Sequence, residues 1–234
     1  HNGRVVFVLD EVDLISEKDK YKDILYLISR SARNYMAVLL SNNPKFLNTL
    51  DESIKSTLQP EIVHFRNYDA TEIEQILLER ARAGLKTSPE AILGQIAALT
   101  ARNTNSDVRV AIKTLYLWAL EPEAELQRQF EKARRDITFD VIKDLNDRNL
   151  LILKAVRDRA DGFAKDVYET YRRTSVQVHE EPFSYMHFYS NLSYLQSLGL
   201  LVLISTKVHR TYANRIQLTF DPSILTTVWS MRFD

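Results

Sequence analysis

The stretch VVFVLDEVDLI at residues 5–15 constrains the fold more than any other, because five apolar residues run unbroken into the acids Asp10 and Glu11. A short continuous apolar run suits a strand covered on both faces of a parallel sheet. A second run at residues 37–40 follows at crossover spacing. Between them, residues 21–33 have helical periodicity, with Ile24, Leu25, Ile28 and Ala32 on one face. Residues 61–65 read as a third strand. Strand, helix and strand in this order imply a parallel sheet.

The remainder reads differently. Only five glycines and six prolines occur in 234 residues, which predicts mostly helix and few tight turns. Thr71-x-x-Glu74 has the spacing of a capping box and opens a helix through residue 82. Ser88-Pro89 opens a second through about residue 101, and Ser106 is the expected cap of a third over 107–120, broken by Pro122. A further helix and a short segment at 139–145 complete an all-helical lid. Helices at about 149–159, 163–174 and 183–198 come next. Two β-like runs, 200–205 and 215–220, follow and are joined by a polar loop. That order is the order of a winged helix-turn-helix. The expected fold is therefore α/β plus an all-α lid plus a winged helix, over residues 1–68, 69–146 and 147–234.

Composition narrows the chemistry. The sequence contains no cysteine, which excludes disulfides, Cys-based zinc sites and thiol nucleophiles. No pair of histidines has metal-ligand spacing, and no Ser-His-Asp arrangement is readable. Net charge is zero, so a nucleic acid would have to be met by a local patch and not by the global field. The longest apolar run, near residues 198–204, is too short to span a bilayer, and the opening residues do not read as a signal peptide. A soluble, cytoplasmic protein with no membrane partner is expected.

Asp10 and Glu11 stand at the carboxyl end of a strand, where open parallel sheets bind ligands. One carboxylate there can hold Mg²⁺ and the next can orient a water. Two acids can equally end a strand in solvent. The second apolar strand ends in Ser41-Asn42-Asn43-Pro44, which offers an amide beside those acids or simply a turn. Arg109 lies in the first turn of a predicted helix, where the dipole disfavours a cation. It suits a phosphate, or an ion pair with Asp107 or Glu72.

Together these segments resemble the AAA+ ATPases of the origin-recognition and cell-division-control initiator family, closest to the archaeal type. VVFVLDEVD is similar to the Walker B strand, and LLSNNP to the sensor 1 segment. SIKSTLQPEIVHFRNYDATEIEQILLERA resembles the stretch joining ATPase base to lid, and NSDVRVAIKTL the sensor 2 helix. The resemblance covers nearly the whole chain. It implies that Asp10 binds Mg²⁺, Glu11 activates water, Asn42 is sensor 1 and Arg109 is sensor 2. It implies ATP or ADP as cofactor in the intact protein, and origin duplex DNA, further initiator copies and the replicative helicase as partners. The sequence departs from the family at three points. No G-x-x-x-x-G-K-[ST] occurs, so the phosphate cradle is missing. Ser53 and Thr57 stand where arginines are common. Ser106 replaces the usual glycine before the sensor 2 aspartate. The chain therefore reads as the C-terminal two-thirds of an initiator, starting just before Walker B. As written, it is expected to carry no nucleotide and not to hydrolyse ATP.

The C-terminal region has a signal independent of any family. Residues 184–220 contain no Asp or Glu, where the chain's average of 31 acids in 234 residues predicts about five. The same window carries Lys207, Arg210 and Arg215. On the 183–198 helix, Tyr185, Phe188, Tyr189, Leu192 and Leu195 form the expected apolar face. The opposite side offers His187, Ser190, Tyr194 and Ser197, with Asn191 at the border. These side chains suit a DNA groove, and the loop at 206–214 would place Lys207 and Arg210 on phosphates. A solvated helix beside an ordinary hairpin would share the pattern. A nucleotide-switched signalling or transcription regulator, using its winged helix as a protein contact, is the alternative function. A DNA-binding paralogue without ATPase activity is a third.

Overall fold

Alternating apolar runs and amphipathic stretches become two compact units, His1–Phe65 and Arg66–Asp234. The computed structural model describes residues 5–15, 23–30, 35–43, 46–87, 89–208 and 211–233. Ala32, Pro44, Ser88 and Arg210, singled out above, lie outside the described residues.

In the first unit, β1 (Val5–Leu9) and β2 (Tyr35–Leu39) pair in parallel from Val5↔Tyr35 to Leu9↔Leu39. The helix α1 (Asp23–Arg30) lies between them in sequence, and α2 (Glu52–Leu58) follows. Val12, Leu25, Phe46, Leu50 and Ile54 are buried together, with Leu9 and Leu39 packed against them. This core covers one face of the pair. Val6, Val8, Met36 and Val38, which alternate with the covered residues, are exposed. The expectation of strands covered on both faces thus holds for one face among the described residues. The expected strand at 61–65 is not formed. The segment is irregular and Phe65 is 92% exposed. An extended segment becomes a strand only when a neighbour completes its hydrogen-bond ladder.

The second unit opens with α3 (Ala70–Gly84), α4 (Glu90–Asn103), α5 (Val108–Leu120) and α6 (Leu126–Lys143). Ile73, Leu77, Leu93, Ile96, Ala111 and Leu115 form the core of the first three. The capping box is Asp69 with Glu72, not Thr71 with Glu74: Glu72 N donates to Asp69 Oδ1 at 2.9 Å, and Asp69 N to Glu72 Oε2 at 3.0 Å. The aspartate stands two residues ahead of Thr71, so the helix already begins at Ala70 and Asp69 takes the N-cap position. Residues 139–143 are not a separate segment, because α6 continues through them as one 18-residue helix. The rod serves two cores: Phe130 and Ala133 pack with Val110, whereas Ile142 is buried among the elements that follow.

Those elements are α7 (Asp147–Asp158), α8 (Ala164–Gln177), α9 (Tyr185–Ser197), β3 (Leu201–Val208), β4 (Thr211–Leu218) and α10 (Pro222–Phe233). Their shared core includes Leu150, Leu153, Val167, Tyr171, Phe188, Leu192, Ile216 and Leu225. The three helices and the ribbon follow the expected order, but the ribbon is longer than expected. Residues 206–208 and 211–214 are strand and not loop, in register from Leu201↔Leu218 to Val208↔Thr211. Cross-strand pairing extends as long as both backbones stay extended, whatever the polarity of the side chains. The helix α10 was not anticipated. Among the described residues, no helix is long and apolar enough to cross a membrane.

Gly162 makes the tight turn between α7 and α8. A Cβ there would lie 2.8 Å from the Arg159 carbonyl oxygen and 3.2 Å from Val167 Cγ2. Its carbonyl accepts from Ile216 N at 3.1 Å, so turn and ribbon are fastened at one point. Gly162→Ala is expected to destabilise this unit by about 1–3 kcal/mol, read from urea unfolding. A variant within experimental error of the parent would show that the turn relaxes freely.

Candidate functional site

The carboxyl ends of β1 and β2 carry the first candidate site. Asp10 directly follows β1 and accepts from the following Glu11 N at 2.9 Å. Glu11 then adopts φ 51°, a left-handed conformation that turns the chain sharply out of the strand. Both carboxylates are exposed. The next acid, Asp13, holds the neighbouring strand end. Its Oδ1 accepts from Ser41 Oγ at 2.7 Å and from Asn42 N at 3.2 Å. The backbone adds Val12 N to Leu40 O at 3.0 Å and Leu40 N to Leu9 O at 2.9 Å. The structure therefore brings Asp10, Glu11 and Asn42 to adjacent strand ends. Asp13, which positions the Asn42 backbone, was not singled out from the sequence. Its signal was the spacing of a third acid two residues after the pair.

The second feature is the turn before α5. Asn105 and Ser106 both have positive φ, 52° and 63°. Asp107, not Ser106, is the N-cap, and its side chain accepts from Arg109 N at 3.0 Å. The same carboxylate takes Arg109 Nε at 3.0 Å and a terminal guanidinium nitrogen at 2.7 Å. This two-point pair raises the Arg109 pKa, the Asp107 hydrogen bond outweighing partial burial. Of the roles open to Arg109, the ion pair with Asp107 is the one it makes here. Glu72 instead pairs with Arg66 at 2.8 Å. Its pKa is held low first by the Asp69 backbone N–H and then by Arg66. Asn67 Nδ2 donates to Asn105 Oδ1 at 3.0 Å, tying the start of the unit to the strained turn. A residue with a Cβ costs about 1–2 kcal/mol in the left-handed region. Ser106→Gly is expected to stabilise the unit by about 1 kcal/mol after the added flexibility of the unfolded chain is counted. Equal or lower stability in chemical unfolding would show that the turn carries no strain.

The third feature is the winged helix. Phe188, Leu192 and Leu195 are fully buried and anchor α9 as expected, while Tyr185 is 44% exposed. Two tyrosines of α8 grip Phe183, two residues ahead of α9: Phe183 N donates to Tyr171 Oη and Tyr168 Oη donates to the Phe183 carbonyl, each at 3.0 Å. Burial pushes the Tyr171 hydroxyl pKa up, which keeps it neutral. Ser184 caps α9 by accepting from His187 N. The outward stripe differs from the expected one. Tyr194 and Asn191 are half-buried, and Asn191 Nδ2 is spent on the His187 carbonyl at 2.8 Å. The exposed stripe is Met186, Ser190, Ser193 and Ser197, with His187 beside it. On the ribbon, Lys207 and Arg215 are exposed but lie on opposite faces, because Lys207 pairs with Tyr212 and Arg215 with Ile204. The Arg215 guanidinium sits 5.2 Å from the Phe163 ring centre.

No family model matches the sequence. The chain is 31% identical over 222 residues to an ORC1-type DNA replication protein of Halobacterium salinarum, an alignment that covers 85% of this chain and 55% of that one. An ORC1-type DNA replication protein of Thermococcus kodakarensis is 27% identical over 239 residues, covering 92% of this chain and 57% of the relative. The chain belongs to the archaeal ORC1-type family of DNA replication proteins. It spans about half the length of the curated relatives it matches. The ORC1-type fold is borne out in three dimensions by the ORC1 protein of Aeropyrum pernix, solved in complex with DNA. That structure superposes with a TM-score of 0.62 at 22% identity, covering 97% of this chain and 64% of its own. The ORC1-type architecture here is thus a partial AAA+ base with a parallel strand pair, a helical lid and a winged helix.

Proposed function

We propose that this chain is part of a replication initiator that holds origin duplex DNA through its winged helix. The observation that carries the reading is the acid-free run 184–220, which the fold gathers onto α9 and the β3–β4 ribbon. Cations without neighbouring carboxylates favour phosphates over internal pairing. Lys207 and Arg215 are the described cations of that run, and Arg210 is the third in sequence. His187, Ser190 and Ser197 face outward from α9, and Asn191 and Tyr194 border that face.

The base site supports a nucleotide-dependent switch in the intact protein. Asp10 and Glu11 are exposed oxygen donors at the carboxyl end of a parallel strand, the donor type that Mg²⁺ takes. They fit the cation and water side of an ATP site, with Asp10 on Mg²⁺, Glu11 toward a water and Asn42 beside them. The bound nucleotide and its cation would supply the difference between two conformational states. Arg109 would reach a phosphate only by exchanging it for the Asp107 carboxylate. No phosphate-cradling glycine loop is in the sequence, so Asp10, Glu11 and Asn42 supply only the cation and water side of such a site. Other initiator copies and a replicative helicase are the partners this reading names.

The test is fluorescence anisotropy of labelled duplex DNA titrated with this chain. Affinity is expected to fall about 10- to 100-fold between about 50 and 200 mM salt, as two to four phosphate contacts require. Lys207→Ala is expected to weaken binding to all sequences alike and to lower the salt slope by about 1. Absence of duplex binding at low salt would overturn the reading.

A further inference from the structure

We infer that Met186 reads thymine methyl groups in the major groove, an assignment that rests on the duplex-binding reading above. The stripe of α9 that faces away from the core is Met186, Ser190, Ser193 and Ser197, one residue per turn along the helix. Three of the four are small, so the helix backbone can approach a groove floor closely along most of its length. The fourth is a large apolar side chain that is 82% exposed. A methionine this open gains nothing from the fold, and it stands in the first turn of the helix. In a helix-turn-helix that end of the third helix reaches base edges.

Two neighbours make the position firm. Tyr185 is held edge-on to Tyr168 with ring centres 5.1 Å apart, and Phe183 is gripped through its backbone by Tyr168 and Tyr171. The main chain carrying Met186 is therefore fixed, while its own side chain is free to adapt. The polar alternative at the border is occupied, because the Asn191 amide donates to the His187 carbonyl. In the major groove, thymine presents an apolar C5-methyl group that no other base of DNA carries, and an apolar side chain is its natural partner. The run without acids from 184 to 220 supplies the charge complementarity that brings a duplex to this face.

Deoxyuridine differs from thymidine by that methyl alone, which gives a direct experiment. The chain is titrated against alternating d(AT) and d(AU) duplexes of equal length at low salt, as parent, Met186→Ala and Met186→Leu. The parent is expected to bind d(AT) about three- to four-fold more tightly for each methyl contacted, the value of one buried methyl. Met186→Ala is expected to bind both duplexes alike, and Met186→Leu to keep the preference. Equal binding of both duplexes by the parent would overturn the inference and leave duplex binding standing. A preference that survives in Met186→Ala would overturn it by placing methyl recognition elsewhere. Failure of the parent to bind any duplex would overturn both.

Discussion

A chain stopped after Asp221 is expected to lose the folded state of residues 66–234, not merely a tail. The helix α10 contributes Ile224, Leu225 and Val228 to the core, at 3%, 0% and 2% exposure. Burying an aliphatic side chain of this size is worth about 1.5–3 kcal/mol, so the three together contribute about 5–9 kcal/mol. A domain's whole stability is about 5–15 kcal/mol. The helix also brings Arg232, which donates to the carbonyls of Lys143 and Leu145 and to Asp147 Oδ1 at 3.1 Å. Those carbonyls lie at the end of α6 and in the turn after it, and without α10 they would need water. The measurement is a circular-dichroism melt of the shortened chain against the full one. Loss of the cooperative transition is expected. A cooperative melt within a few degrees of the parent would show that α10 only lies against a core that stands without it.

Tyr171→Ala is expected to destabilise the same unit by about 3–5 kcal/mol in urea unfolding. The side chain is fully buried, between Phe188 at 5.5 Å and Phe183 at 6.3 Å between ring centres. Its removal leaves a large cavity, and the lost acceptor leaves the Phe183 N–H unpaired. Tyr171→Phe separates the two effects, keeping the ring and removing the oxygen, and should cost about 1–3 kcal/mol. A second readout distinguishes packing from positioning. Tyr171→Phe should weaken duplex binding even where the domain remains folded, because the start of α9 is no longer gripped on both sides. Unchanged binding in a folded Tyr171→Phe variant would show that Tyr168 alone sets the helix.

Much of this architecture was legible in local pattern. The parallel pair followed from two apolar runs with a helix between them, and the winged helix from three amphipathic helices before a ribbon. Asp10, Glu11 and Asn42 could be found because they follow within three residues of the apolar runs that form the two strands. What local pattern left out depends on partners distant in sequence. Residues 61–65 have strand-like composition but no pairing neighbour among the described residues, and composition cannot supply a ladder. The caps moved by one or two residues because Asp69 and Asp107 compete with Thr71 and Ser106 within a single turn. Only the backbone conformation decides that competition. The outward face of α9 turned from Tyr194 to Met186 for the same reason, since the face a helix buries is set by what packs on it.

By itself, then, the sequence determined the order of elements, the acids at the strand ends and the acid-free surface of the C-terminal region. Each of these is a property of residue type and spacing along the chain. The tertiary structure alone decided that Arg109 is held by Asp107, that Asp13 carries the Asn42 backbone, and that Lys207 and Arg215 face opposite ways. It also decided that α10 completes the core. In each case several partners of similar chemistry were available and geometry selected one, two residues away for Arg109 and tens of residues away for Asp13 and α10.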